Sequence, residues 1–333
     1  MKKHLIAAAV AAAFAVPAMA QVSISGRIDT SIQNFDAGPN ASTRVISSLL
    51  TSNQIVMSGR EDLGGGLRAG FVISSGFNSD ANAALDFGSR GHALTLSGSF
   101  GAFEIGKTTG TALNNNLASG VTGNIGNLFT VQGRPNNMIG YTSPTFSGLS
   151  LRLVHGIGNE TPGPAKGDGR QTEISAIFAS GPVTVRVAQA DFKNFALSAV
   201  SGGGVTGAVA LPASTAGDLK QTGADLAIRQ GPFTINARYT EVKLDDAAQN
   251  LLRGTSQYGI GASYAIGSGL TAALDYMDVD NKAANADLSR TSVTLVQSLS
   301  KRTNVYGAFY SDDFQEPGRS NASVLAFGVR HSF

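Results

Sequence analysis

The stretch Ser323–Phe333 reads S-V-L-A-F-G-V-R-H-S-F. From Leu325 on, odd positions carry Leu325, Phe327, Val329, His331 and Phe333, while even positions carry Ala326, Gly328, Arg330 and Ser332. One side is large and mostly apolar, the other small or charged, and a repeat of two belongs to a β-strand with two different faces. A last strand that closes on an aromatic, with no polar tail, departs from the loose, solvated termini usual in water. A barrel in a bilayer gives it a use, because the last strand pairs with the first and leaves no open edge in lipid. Val329, His331 and Phe333 are therefore expected to serve barrel closure.

Working back from that strand, the same alternation recurs. Val22, Ile24, Gly26, Ile28 and Ile32 lie on one face of 22–35, with Ser23, Ser25, Arg27, Asp29, Ser31 and Gln33 on the other. Further strands are expected near 52–62, 66–77, 90–100, 101–107, 137–143, 149–158, 171–180, 183–194, 220–230, 232–243, 255–265, 269–280, 288–298, 303–313 and 321–333. With 22–35 these make about sixteen, an even number as a single-chain bacterial barrel requires. The connections alternate in kind. Short turns such as Asp62–Gly66, Ser180–Pro182 and Gln230–Pro232 carry Gly, Pro or Ser chemistry. Between them lie long stretches at 36–51, 78–89, 108–136, 159–170, 195–219, 244–254, 281–287 and 314–320. Short connections at one end and long ones at the other are the asymmetry of outer-membrane barrels, which a soluble sandwich does not demand.

Composition narrows the classes. The 333 residues include 41 Gly, only 14% are charged and 42% are hydrophobic, which argues against a coiled coil and against disorder. Cysteine is absent, excluding a disulfide frame, a thiolate nucleophile and a Cys-ligated metal. Met1–Ala20 has a basic start, an apolar run from Leu5 to Val16, and Ala18 and Ala20 at the −3 and −1 positions of a cleavage site. That pattern predicts a cleaved secretory signal over 1–20 and a single barrel domain over 21–333. Without Lys2 and Lys3 the count of basic residues falls from 25 to match the 23 acids, so the basic balance resides in the leader. A nucleic-acid partner thereby loses its support. No later segment offers an uninterrupted apolar run of membrane-helix length.

On these stretches the chain resembles the general diffusion porins of Gram-negative outer membranes, most closely the beta-proteobacterial type. The resemblance is carried by G-R-I-D (26–29), S-G-R-E-D-L-G-G-G-L-R-A-G-F (58–71), S-G-F-N (75–78), F-G-S-R (87–90), L-S-G-S-F-G (96–101), R-P-N-N-M-I-G-Y-T-S-P (134–144) and G-V-R-H-S-F (328–333). It spans essentially the whole chain after residue 20. It implies a 16-stranded antiparallel transmembrane β-barrel, a homotrimer, and an inward-folded third loop that narrows the lumen. It also implies outer-membrane lipid and lipopolysaccharide as surroundings, and recognition of the C-terminal strand by the barrel-assembly machinery. The implied third loop lies between Lys107 and Arg134 and contains Asn114, Asn115 and Asn116 but no Asp or Glu. Similar porins often set loop carboxylates against a row of wall arginines; here only the arginine half is present. Gln54 and Ser58 stand where the family often has Arg, and Gly106-Lys107 where it has Gly-Arg.

In a pore, lumen charges decide which ions enter and width decides the size limit. Inward parity selects Arg27, Asp29, Arg68, Arg152, Glu173, Arg186, Asp225, Arg229, Arg238, Asp275 and Arg330, since a basic residue on the lipid face at midplane costs about 2–4 kcal/mol. The resemblance adds Arg90, Lys107 and Arg134. Arg90 shares parity with Leu94 and Leu96, which turns it outward unless a bulge near Gly91 re-aims it. The lipid face is expected to carry Ile55, Met57, Leu94, Val185, Ile235, Phe309 and Phe327, with aromatics as girdles near strand ends. No G-x-S-x-G, H-E-x-x-H or phosphate loop occurs after residue 20, and no cofactor is implied. The expected function is a water-filled channel for passive diffusion of small hydrophilic solutes and ions, weakly anion-preferring and not an enzyme. A solute-specific channel for an anionic nutrient and a structural or adhesive barrel are the alternatives.

Overall fold

The computed structural model describes residues 21–81, 87–115, 121–126, 134–158, 160, 169–196, 216–244, 255–281, 287–315 and 320–333. The expected leader and Asn116 lie outside these residues. Seventeen strands form one sheet: β1 (Gln21–Asp36), β2 (Ser42–Ser47), β3 (Gln54–Gly64), β4 (Leu67–Gly76), β5 (Gly91–Gly98), β6 (Gly101–Lys107), β7 (Met138–Thr142), β8 (Leu149–Gly156), β9 (Arg170–Ser180), β10 (Val183–Ala196), β11 (Ala216–Gln230), β12 (Phe233–Leu244), β13 (Thr255–Ile266), β14 (Leu270–Asn281), β15 (Leu288–Ser298), β16 (Thr303–Phe314) and β17 (Ala322–Ser332). A one-turn helix, α1 (Ala112–Asn115), and a 3-10 turn at Asn124–Gly126 lie between β6 and β7.

Every strand from β3 on pairs antiparallel with the next, and β17 returns to β1 from Asp36↔Ser323 to Arg27↔Ser332. Gly26 and Phe333 add reciprocal N–H···O bonds of 3.0 Å. The ring is closed, so no strand edge is left for lipid. Strand β2 does not add a position to it. Thr30–Phe35 of β1 pair with β2, and Gln21–Arg27 pair with β3, so β2 and β3 are two halves of one interrupted strand. The barrel therefore has sixteen positions. The expected loop over 36–51 is thus partly a strand, because S-T-R-V-I-S still alternates, with Val45 outward beside Ile32. Strand β11 likewise begins at Ala216, inside the stretch expected as loop.

The period of two sorts the chain into two surfaces. Outward rows are apolar and exposed: Ile24 is 66% exposed, Leu94 69% and Phe327 64%. That is an intolerable surface in water and a suitable one in hydrocarbon. Aromatics mark the strand ends, with Phe233 against Tyr264 at 4.5 Å and Phe103 against Tyr141 at 4.9 Å. Inward rows mix polar, small and charged residues with buried apolar ones such as Phe35, Phe192, Val242, Met277 and Phe314. Where the inner wall carries Ala188, Ala190, Ala308 and Ala326, it makes room for Leu49, Leu50, Leu113 and Ile125, and these form one buried cluster.

Candidate functional site

Four inner-wall arginines are neutralised where they stand. Arg152 on β8 donates to Glu104 Oε2 at 3.0 Å, to the Gly110 carbonyl at 3.0 Å and to Thr108 Oγ1 at 3.1 Å. Arg186 on β10 grips both carboxylate oxygens of Asp225, at 3.2 and 3.1 Å. Arg238 on β12 pairs with Asp275 at 3.3 Å, both fully covered. Arg290 on β15 holds Asp312 bidentately at 2.6 and 2.7 Å, gives a third bond to the Ile125 carbonyl at 3.0 Å, and lies 4.2 Å over the Tyr310 ring. Such fork-to-fork pairs are the strong form of an ion pair, and a buried guanidinium is stable only with such partners.

A second group of arginines is different. Arg27 on β1 gives its Nε–H to the Ser52 carbonyl at 2.9 Å. Arg330 stands diagonally across the closing ladder from it, since Arg27 pairs with Ser332 and Asp29 with Arg330. Arg90 ends the turn ahead of β5, its backbone amide donating to the Ser74 carbonyl at 2.9 Å. Burial lowers the pKa of the Arg90 guanidinium below its ordinary value, and Arg134 and Arg27 lower it further. Burial does the same at Arg134, whose Nε–H donates to the Thr109 carbonyl at 3.0 Å. Among the described residues no carboxylate lies within ion-pair distance of Arg27, Arg90 or Arg330. Gly91, at a φ of 134°, breaks the alternation between Arg90 and β5, and the Arg90 side chain lies against Gly76.

The segments between strands reach these walls through backbone groups. Ala112 N–H donates to Glu173 Oε1 on β9 at 2.7 Å, and Leu113 N–H to Oε2 at 3.4 Å. Thr122 gives its N–H and its hydroxyl to Asp275 Oδ2 on β14, at 2.6 and 2.7 Å. Residues 48–53 lean inward from the break between β2 and β3. Asp29 corrects one expectation here. Parity selects it as a pore-lining charge, yet it is fully buried, its carboxylate taken up by the Leu50 and Thr51 amides and the Tyr306 hydroxyl.

The other selected residues are dispersed. Arg68 and Arg229 lie toward the short-turn end, opposite Asp62 and Thr234. Lys107 pairs with His92 on the row of Phe103 and Ile105, the outward row by register, because Glu104 takes the inward one. Asn114 and Asn115 fall in α1. Val329 is half exposed on the outside, and His331 Nδ1 lies 2.9 Å from Thr303 Oγ1 on the neighbouring strand. Reading by parity misses Arg290, Asp312, Tyr306 and Glu104. The signal is present in two of them: Arg290 alternates with Val293 and Leu295, and Asp312 with Phe309.

A closed sixteen-position barrel, apolar outside and charged within, is a protein that crosses a membrane with strands and encloses a polar path. The Gram-negative porin family matches residues 7–317, and the chain belongs to that family. Its relatives are outer-membrane proteins, and so is it. "Outer membrane porin protein 32" of Delftia acidovorans is 30% identical over 99% of this chain and 95% of that protein. An outer membrane porin protein of Bordetella pertussis is 27% identical over the full length of both. Among solved structures, the "anion-selective porin from Comamonas acidovorans" superimposes with a TM-score of 0.73 at 23% identity, covering 94% of this chain and all of the other.

Proposed function

We propose that the barrel is a water-filled diffusion channel for small hydrophilic solutes whose weak anion preference comes from Arg27, Arg90, Arg134 and Arg330. The observation that carries this is the contrast in partners: carboxylates clasp Arg152, Arg186, Arg238 and Arg290, whereas among the described residues none lies within ion-pair distance of Arg27, Arg90 or Arg330, Asp29 facing Arg330 in register with its oxygens bonded elsewhere. A ring of cationic side chains in a narrow polar path favours anions. Residues 108–134 act as the constriction. Supporting this are the bonds of Ala112, Leu113 and Thr122 to Glu173 and Asp275, and the lack of any acid in the segment.

Residues 1–20 act as a cleaved export signal, and the working unit is a homotrimer surrounded by outer-membrane lipid and lipopolysaccharide. The last strand, with Val329, His331 and Phe333, is the part the barrel-assembly machinery would engage. The solved porin whose name calls it anion-selective supports the charge preference by analogy of fold. Purified protein in planar bilayers tests the reading: conducting steps with a reversal potential on the anion side of a KCl gradient are expected. Closed membranes remove the channel, and cation preference removes the role of the arginines. Saturable block by one organic anion would favour the solute-specific alternative.

A further inference from the structure

We propose that residues 48–53 form a shelf that sets the position of the constriction segment, and that Asp29 and Tyr306 are positioning residues holding the shelf in the lumen; this rests on the constriction reading above. The shelf is an insertion in the wall itself. Thr30 pairs with Ser47 and Arg27 with Gln54, so the whole run from Ser48 to Asn53 stands opposite only Ile28 and Asp29. Excess chain at one ladder position must leave the sheet, and here it leaves inward, with Ser48 at a φ of 67°.

Asp29 holds it there through backbone and side chain alike. Its carbonyl accepts the Ser48 amide at 2.8 Å, and its own amide donates to Asn53 Oδ1 at 2.6 Å. Its carboxylate Oδ2 accepts the Leu50 and Thr51 amides at 2.9 and 2.6 Å. Oδ1 accepts the Tyr306 hydroxyl at 2.6 Å. Tyr306 sits on β16 and reaches β1 over the intervening β17 because its register partner is Gly328, where any Cβ would run into the ring. The closing seam and the shelf are thus tied by one phenol.

The far side of the shelf carries the constriction segment. The Leu50 carbonyl accepts the Asn124 amide at 2.9 Å, and Asn124 Nδ2 donates to the Ser48 carbonyl at 2.9 Å. Gly123 lies so close to the Leu50 carbonyl that it has no room for a side chain. Leu49 and Ile125 are both fully buried in the same cluster. Beyond Ile125 the chain of bonds ends at Arg290 on β15. The shelf also receives Arg27 through the Ser52 carbonyl. One element therefore fixes both a selectivity guanidinium and the segment that sets pore width.

The test is electrical. Tyr306→Phe and Asp29→Asn in the full-length protein should each raise single-channel conductance by at least about 1.5-fold and lower the anion preference, with wild-type heat-modifiable gel mobility. The chain has no cysteine, so Leu50→Cys with Asn124→Cys can be added to Tyr306→Phe. Oxidation should restore wild-type conductance and reduction should abolish the restoration. Gly123→Ala, which pushes the segment off the Leu50 carbonyl, carries the same expectation should Asp29→Asn fail to fold. Wild-type conductance and selectivity in Tyr306→Phe and Gly123→Ala overturn the shelf. Deletion of 112–125 separates the two readings. An unchanged conductance there removes the constriction itself, whereas a raised conductance with silent Tyr306 and Gly123 variants removes only the shelf.

Discussion

Arg290 on β15 and Arg90 ahead of β5 stand on two sides of the barrel that treat a guanidinium in opposite ways. Arg290 is fully buried with a bidentate carboxylate, a carbonyl and an aromatic face. Arg90 is half-buried among other guanidiniums, and that crowding with burial holds its pKa down. The β8–β16 wall uses its charges in structure, binding its own arginines and backbone amides of the segment between β6 and β7. On the side formed by β1, β17 and the turn ahead of β5, no described carboxylate lies within ion-pair distance of Arg27, Arg90 or Arg330. A channel needs both, since a field that acts on passing ions must be uncompensated, and a scaffold that holds it must not be.

Removing an arginine from the paired wall should have the largest effect. Arg290→Ala strands Asp312 in a buried site and is expected to cost about 3–5 kcal/mol, read as a lowered urea midpoint of the folded barrel. Replacing both partners, Arg290→Met with Asp312→Leu, should recover most of that loss. The cationic side should respond in the opposite sense. Arg90→Gln with Arg330→Gln should leave the urea midpoint unchanged or raise it, because like charges are removed, while the reversal potential in a KCl gradient moves toward zero. A shift in stability without a shift in selectivity would erase the distinction between the walls. Raising KCl from 0.1 to 1 M should weaken the preference of the unaltered channel, as the screening length falls from about 10 Å to about 3 Å. The smallest effect is expected for Arg229→Gln near the short-turn end, with a stability within about 0.5 kcal/mol of wild type and a slight loss of anion preference.

The barrel was legible because lipid enforces the period of two on every strand, so Leu94, Phe309 and Phe327 report their face by count alone. The closing pair was legible for the same reason, through Val329, His331 and Phe333. What alternation does not carry is a departure from alternation. S-S-L-L-T-S-N at 47–53 holds no charge and no breaker, so nothing in it announces an excursion, and the fate of Asp29 was hidden with it. Lys107 is suggested by likeness to a family position, yet its register row is the one facing out. Arg290 and Asp312 have inward parity in the sequence, yet reading by parity passes over both. That they clasp each other depends on the register between two strands, which neither strand states alone.

Gly26 and Phe333 satisfy each other's backbone groups, so the opening strand has its full set of partners only when the far terminus arrives. Until then β1 presents one unsatisfied edge while every other strand is being laid down. Folding of this polypeptide is a ring-closing event, slowed because its closing contacts join the two ends of the chain. A variant that weakens the final clasp should therefore leave two edges open at once and lower the yield of closed barrel.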